Sequence, residues 1–417
     1  MTLDPVHFDG IVDLARRIRP GVDETDHREF ATTVWEEFLD PLRRDDVVVI
    51  EPLDEQRRRS VDIQSIALAE DPFPTRHGLD SGTINPTTFK NGLVLDVAQA
   101  AMSATPSDLE LHRARTVVAT VHANDVTVDL GDDDWLPDDD GFARKRILQA
   151  PRVDRFEQQV VHVLSLYLAE SRHALTQADI VDDLLVLDGP LYPKGLLEWR
   201  GRDSRLENLL VEDTRPRDVA ANYLQLVERF VERDVPLIGF VKSPTTRTIT
   251  RAVRSQTGSA PWVNDTALFK QILEHREDGE RVTDDLTFTN WFLSRGGPDQ
   301  VFSTAGDALG LDMRLDPAAY ETAFFVAYDP RTDLLFRVET PRAFAADPDL
   351  RDRIQRQVLS GVAVGRGPPQ AVAKADELAR ISREEKATLQ DALERTFDSE
   401  RESEYDEQRW GIDAAGY

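Results

Sequence analysis

The chain has 417 residues, with 77 Asp and Glu against 50 Lys and Arg, and a formal net charge of −27. No apolar run approaches the roughly 20 residues that span a bilayer, so we expect no membrane-spanning segment. Zero Cys excludes disulfides, thiolate metal sites and a cysteine nucleophile. The first five residues lack the basic and apolar regions of a secretory signal, and we expect a cytoplasmic protein.

The excess of acidic residues is evidence about the salt content of the surrounding solvent rather than about the charge of the substrate. Only seven of the 50 basic residues are Lys, and this composition predicts a halophilic protein adapted to a salt-rich cytoplasm. At molar salt the Debye length falls to about 3 Å. The acidic surface therefore does not exclude a nucleic acid, because only the basic residues nearest to the phosphates would then act on it.

The first half of the chain predicts helix and then strands. Helical periodicity covers residues 8–43, and its apolar stripe begins with Phe8, Ile11, Val12, Ala15 and Ile18. Strand patterns follow at residues 46–52, 78–84, 93–97, 116–122 and 125–130, the last two joined as a hairpin.

The second half alternates helices with single strands. Helices are predicted at residues 153–174, 216–233 and 371–395, and strands at 184–187 and 236–241. Residues 323–328 and 334–339 form a hairpin around an Asp-Pro-Arg-Thr-Asp turn. Grouped strands followed by this alternation predict an α/β fold with a mixed sheet.

Two segments of one design carry the functional signal. Gly78-Leu79-Asp80-Ser81-Gly82 and Leu185-Val186-Leu187-Asp188-Gly189 each bring an Asp to the end of a buried strand beside a Gly. Two such carboxylates repel each other unless a divalent cation lies between them. The pair predicts a metal-dependent hydrolase, and the simpler interpretation is that Asp-Gly is a common turn dipeptide.

The order of four motifs resembles the NurA family, archaeal nucleases with an RNase H-like fold. They are the two Asp segments, the strand Pro236-Leu237-Ile238-Gly239-Phe240-Val241-Lys242 and the hairpin ending in Arg337-Val338-Glu339-Thr340-Pro341. The resemblance implies an RNase H-like core with a mixed β-sheet flanked by helices, plus N-terminal and C-terminal helical additions. We predict an N-terminal extension at 1–75, the nuclease domain at 76–380 and a C-terminal helix end with an acidic tail at 381–417.

The same resemblance implies the metal ligands. The family's two aspartates map onto Asp80 and Asp188, and its third acid is a Glu on the preceding helix. Glu157 and Glu170 both qualify, and we favour Glu157 because it lies near the start of that helix. The resemblance also implies Mn²⁺ as the cofactor, with two ions bound and Mg²⁺ as the second choice.

The last family motif differs in this chain. Where similar members carry Gly-Tyr-Pro and a His seven residues later, this sequence has Gly367-Pro368-Pro369 and Asp376. Asp376 can still bind a hard cation through oxygen, so we count it as a fourth metal ligand, whereas Pro368 removes the contact of a tyrosine. The basic residues Lys242 and Arg247 follow a buried strand and are predicted phosphate contacts, although Lys242 could equally pair with a neighbouring acid.

The predicted function is a metal-dependent DNA nuclease that acts on single strands and duplex ends. The family implies 5′–3′ exonuclease and single-strand endonuclease action, a homodimer, and a hexameric HerA-type ATPase partner in double-strand-break end resection and homologous recombination. No Walker A sequence is present, which agrees with a motor supplied by another chain. The alternative is a catalytically weakened DNA-binding or adaptor subunit of that translocase, and a glycosidase with paired carboxylates is disfavoured by the Asp-Ser-Gly and Asp-Gly-Pro contexts.

Overall fold

The computed structural model describes residues 5–17, 24–128, 130, 134–306 and 309–402. Ile18 of the predicted apolar stripe and the acidic tail from residue 403 onward lie outside the described residues. The fold is α/β, as predicted, with one large mixed sheet flanked by helices.

The first nine strands come from the N-terminal part of the chain. They are β1 (Leu42–Arg44), β2 (Val47–Pro52), β3 (Arg58–Asp62), β4 (Arg76–Thr83), β5 (Thr87–Thr88), β6 (Leu93–Thr105), β7 (Arg115–Ala123), β8 (Leu136–Asp138) and β9 (Ala143–Gln149). The later strands are β10 (Leu185–Asp188), β11 (Leu237–Val241), β12 (Arg276–Glu277), β13 (Glu280–Arg281), β14 (Asp285–Thr289), β15 (Phe292–Ser294), β16 (Thr322–Asp329) and β17 (Leu334–Pro341).

Helices precede, separate and follow these strands. They are α1 (Pro5–Arg17), α2 (Glu24–Glu37), α3 (Ile63–Ala67), α4 (Leu109–Arg113), α5 (Glu157–Gln177), α6 (Lys194–Leu197), α7 (Ser204–Glu212), α8 (Thr214–Glu232), α9 (Thr248–Thr257), α10 (Asp265–Leu273), α11 (Val301–Ala305), α12 (Arg342–Ala345), α13 (Pro348–Gly365), α14 (Gln370–Ala379) and α15 (Arg383–Phe397). No helix in the described ranges is long and apolar enough to cross a membrane.

The large sheet has the strand order β1-β2-β15-β16-β17-β11-β10-β4-β6-β7-β9-β8. Its centre is mixed, because β10 pairs in parallel with both β11 and β4, whereas β4–β6 and β11–β17 are antiparallel. Strands β2 and β3 pair with β15 and β14, so the segment predicted as an N-terminal extension contributes to the same sheet.

The two faces of the central strands pack against different helices. Leu185 and Leu187 of β10 pack with α5 and α8, while Val186 of the same strand packs with α13. This alternation follows from the period of two along a strand, and it explains why the apolar runs at 184–187 and 236–241 were recognisable as buried strands. The sheet thus lies between two helical layers.

Several sequence predictions fail for identifiable reasons. Strand β6 continues eight residues beyond the predicted 93–97. The prediction ended early because the Ala-rich second half of the strand has low β propensity. Its small side chains allow α5 and α14 to pack closely against this part of the strand. The strand predicted at 125–130, and its hairpin, are wrong over the described residues 125–128, because the Thr127 amide donates to Asp125 Oδ1 in a turn and β7 pairs in parallel with β9.

The two terminal helical predictions also need correction. The predicted helix over 371–395 is interrupted after Ala379, and α15 begins at Arg383, after the N-cap Ser382, whose side chain forms a capping box with Glu385. At the N-terminus the predicted stripe does not enter the core, because Phe8 and Ile11 of α1 are 57% and 54% exposed.

Candidate active site

Two neighbouring parallel strands bring the predicted aspartates together. Leu187 of β10 lies opposite Leu79 of β4, so the next residue in each strand is Asp188 and Asp80. Asp188 ends its strand as predicted, but the prediction that Asp80 ends its strand is wrong, because β4 continues to Thr83. The pairing register therefore places the two carboxylates side by side.

The pair is poorly compensated. Burial raises the pKa of Asp80 to about 9, with further increases from the negative charges of Asp188 and Glu170. Burial also raises the pKa of Asp188, although the ammonium of Lys242 opposes this. At neutral pH Asp80 therefore keeps a proton, which it shares in a hydrogen bond with Asp188.

Lys242 is the counter-ion of this pair. Its Nζ donates to Asp188 Oδ2 at 2.6 Å across the parallel β10–β11 edge. Of the two interpretations that the sequence left open, the structure shows the pairing with a neighbouring acid. A phosphate contact by Lys242 would require this ion pair to open.

Glu170 of α5 is the helix acid that reaches the aspartates. Ser81 Oγ donates to Glu170 Oε1 at 2.6 Å, and Tyr223 OH of α8 donates to Oε2 at 3.1 Å. Burial raises the pKa of Glu170 to about 7 despite these two hydrogen bonds. A cavity of about 120 Å³ opens between Glu170 and Asp188. Sequence reasoning missed Tyr223, because nothing in the sequence relates α8 to the Asp segments.

The preference for Glu157 as third acid is not supported by the structure. Glu157 occupies the first turn of α5, where His122 is its neighbour in electrostatic range. Thirteen residues separate it from Glu170, which is about 20 Å along a helix. The sheet places the aspartates beside the C-terminal half of α5, so the structure brings Glu170 and not Glu157 to them.

Helix α14 closes the other side of β4 and carries Asp376. Cβ atoms added at Gly78 and Gly82 would lie 2.2 Å and 2.3 Å from the carbonyl oxygens of Ala371 and Ala379. The two glycines that flank Asp80 therefore allow the helix backbone to contact the strand. Asp376 lies between these contact points, close enough for its negative charge to raise the pKa of Asp188, and it pairs with Arg380 at 2.8 Å.

Arg247 lies further from the acids, at the start of α9. It is exposed and lines a cavity of about 780 Å³ that begins beside Pro190, two residues after Asp188. The structure therefore places the two predicted phosphate contacts differently, with Lys242 held by an acid and Arg247 open to a cavity.

The donor set fits a hard divalent cation. Asp80, Asp188, Glu170 and Asp376 offer only carboxylate oxygens, which suit Mg²⁺ and Mn²⁺. Their mutual repulsion, visible in the raised pKa of Asp80, is the condition that a bound cation would relieve. No three acidic or His side chains among the described residues already surround one point, because Asp188 is held by Lys242 and Glu170 by Ser81 and Tyr223.

Comparison with known proteins identifies one domain. The model of the NurA domain matches residues 74–381. No curated protein matches the chain. Among solved structures, the NurA nuclease from Sulfolobus solfataricus is similar with 12% identity and a TM-score of 0.49, over 95% of this chain and 98% of that one.

Two further structures are similar at lower scores. NurA with manganese has 11% identity and a TM-score of 0.42, over 80% of this chain and 93% of its own. NurA bound to dAMP and manganese has 10% identity and a TM-score of 0.42, over 94% of this chain and 97% of its own.

Proposed function

The chain belongs to the NurA family, and we propose that it is a metal-dependent deoxyribonuclease. One observation carries the proposal: Asp80 and Asp188 lie side by side on parallel strands, with the pKa of Asp80 raised to about 9. A strongly perturbed pKa in a cluster of acids is typical of a functional site, since a structural role is better served by paired charges.

Asp80, Asp188, Glu170 and Asp376 would hold the cation. We propose Mn²⁺, with Mg²⁺ as the second choice and two ions per site, in keeping with the family and with an oxygen-only donor set. Bound cations would supply an activated water and would neutralise the charge that develops on the phosphate and on the leaving oxygen. Glu170 takes the role that the sequence assigned to Glu157.

The protein's own groups prepare the site. Ser81 and Tyr223 fix both oxygens of Glu170, so its orientation is set before any ligand arrives. Asp80 must release its proton before it can act as a ligand, since ligand carboxylates are deprotonated. Lys242 must leave Asp188, and its ammonium is then free to contact a phosphate of the substrate.

The finer function follows the family. We propose cleavage of single-stranded DNA and of duplex ends, by 5′–3′ exonuclease and single-strand endonuclease action, in a cytoplasmic homodimer. A HerA-type hexameric ATPase would supply translocation during double-strand-break end resection, in agreement with the absence of a Walker A sequence. The domain division at residues 76 and 380 is proposed with it.

The adaptor alternative has one observation in its favour. The Lys242–Asp188 ion pair already neutralises one acid of the site, and Pro368 replaces a family tyrosine. A subunit that only docks an ATPase could keep this closed arrangement. It does not explain why Glu170 is oriented by two hydrogen bonds beside the aspartates.

Cleavage of end-labelled single-stranded DNA with Mn²⁺ in concentrated KCl tests the proposal. High salt is chosen because a chain of net charge −27 repels itself in dilute buffer. We expect wild type to cut, EDTA to abolish cutting, and Asp80→Asn and Asp188→Asn to be inactive with unchanged circular dichroism. A folded wild type that does not cut, even with its ATPase partner, contradicts the nuclease and supports the adaptor.

A further inference from the structure

A continuous groove leads away from the proposed catalytic acids. The cavity of about 780 Å³ beside Pro190 shares Arg251 and Pro298 with a second cavity of about 630 Å³. Because Pro190 also lines the small cavity between Glu170 and Asp188, the three spaces follow one another. We call the two larger cavities together the arginine groove.

The arginine groove is positively charged in a strongly acidic protein. Its exposed cations come from three separate segments of the chain: Arg44, Arg200 with Arg202, and Arg247 with Arg251. Two of its acids, Asp299 and Glu339, are buried and already paired with Lys194 and Arg337. The exposed acids that line it are Asp45 and Glu198, so cations outnumber available anions here despite a net charge of −27.

Most of these arginines have no internal role. Arg200, Arg202, Arg247 and Arg251 form no side-chain hydrogen bond or ion pair within the described part of the chain. Elsewhere arginines are commonly bonded, as Arg331 is to Asp329 and to two carbonyls of α13. Unpaired guanidinium groups concentrated in one concave surface fit an anionic ligand.

The lining also identifies which part of a nucleic acid would be bound. None of the described residues that line the two cavities is aromatic, so the lining offers no ring on which a base could stack. The guanidinium groups instead suit phosphate oxygens, which they can bind through two parallel N–H donors. Both volumes lie within the roughly 300–1,000 Å³ of ordinary ligand pockets, which suits a short stretch of one strand rather than a duplex.

We propose that the arginine groove holds the sugar–phosphate backbone of the single DNA strand that is delivered to Asp188. The proposal rests on the nuclease function above, because it names the path of that enzyme's substrate. Binding in the groove does not depend on sequence, since phosphates carry no base information. It does depend on salt, because each neutralised phosphate releases condensed counterions.

Binding without cleavage separates this proposal from the catalytic one. We would measure the affinity of a fluorescein-labelled oligo-dT for the full chain in EDTA by anisotropy, over the range of KCl in which circular dichroism shows native helix. The variants are Arg247→Gln/Arg251→Gln and Arg200→Gln/Arg202→Gln. The matched control is Arg356→Gln/Arg383→Gln, two exposed arginines that line neither cavity and have no described side-chain partner.

Each groove variant should lower the magnitude of the slope of log K against log salt by about 1.4, at about 0.7 per lost contact to a single strand. The control should keep the wild-type slope. Equal slopes in control and groove variants, or no binding by wild type, would overturn the groove. Normal binding through the groove by a wild type that fails to cut with Mn²⁺ would instead remove the nuclease proposal and leave the groove standing.

Discussion

Two clusters of acids are linked by the loop that follows Asp188 and behave in opposite ways. The catalytic cluster contains Asp80, Asp188 and Glu170, and burial together with like charges raises the pKa of Asp80 to about 9. The second is an ion network in which Asp299 and Glu339 are paired with Lys194 and Arg337 at 2.5–2.7 Å.

Burial would raise the pKa of Asp299 as well, but Lys194 and Arg337 hold it at about 2. The network also fixes the loop after Asp188, because Glu339 accepts a hydrogen bond from the Leu191 amide at 3.1 Å. The two clusters differ in their fixed cations: Asp299 and Glu339 share Lys194 and Arg337, whereas Lys242 compensates Asp188 and leaves Asp80 and Glu170 with raised pKa values. The fully paired acids are structural, and the partly compensated ones are those a metal ion would complete.

The largest effect should separate the two helix acids. We expect Glu170→Gln to lower Mn²⁺-dependent cleavage by at least about 100-fold, in the range typical for loss of a catalytic group. Glu157→Gln, the same change on the same helix, should keep wild-type activity. Rates on labelled single-stranded DNA decide between them: a loss in Glu157→Gln alone would restore Glu157 as the third ligand, and wild-type rates in both variants would place that ligand elsewhere.

Removing an acid should affect stability in opposite directions in the two clusters. Asp299→Ala leaves the buried cations Lys194 and Arg337 with Glu339 alone between them. We expect a loss of about 3–5 kcal/mol in the free energy of unfolding. Asp80 must take up a proton on folding, because its pKa is about 9 in the folded protein against a usual 3.8, and Asp80→Asn removes that cost. In EDTA at neutral pH the variant should therefore be neutral or stabilising. Urea denaturation of both variants measures this, and a destabilised Asp80→Asn would show that the two clusters do not differ.

Metal should stabilise only one cluster. At 100 times its dissociation constant, Mn²⁺ should add about 2.7 kcal/mol to wild-type stability, seen as a rise in melting temperature. Asp299→Asn should retain a rise of that size from its own lower baseline, and Asp80→Asn/Asp188→Asn should lose it. A full rise in the double variant would mean that Mn²⁺ binds outside the proposed site.

The change in stability over a single pH unit in EDTA is the smallest of these effects, and its sign is opposite in the two clusters. Asp299 has a folded pKa of about 2 against a usual 3.8, so its contribution is complete above 3.8 and is lost as pH falls through 2. Asp80 has a folded pKa of about 9, so stability decreases as pH rises from 3.8 to 9, by at most about 1.4 kcal/mol per pH unit. Asp80→Asn should flatten the neutral slope and leave the acidic one.

Local chemistry made part of this protein predictable. Strands β10 and β11 are uninterrupted apolar runs, and β16 and β17 flank a turn that Asp329 and Asp333 stabilise. The same local patterns singled out Asp80 and Asp188, since each lies beside a Gly in or after an apolar strand. Composition also indicated a high negative charge whose effect on DNA is weak at high salt.

Tertiary structure decided the rest. Glu170 and Glu157 lie on the same helix, and no sequence pattern distinguishes them. The position of α5 against the sheet places Glu170 beside the aspartates and Glu157 near His122. The exposed arginines of the arginine groove come from three segments, from β1 to α9, whose proximity no local pattern encodes. The spacing of apolar residues in the sequence predicts which face of a helix or strand is buried, because the residues on that face are themselves apolar. Which acids share a site, and whether a cation compensates them, depends on contacts between distant segments, and those exist only in the folded chain.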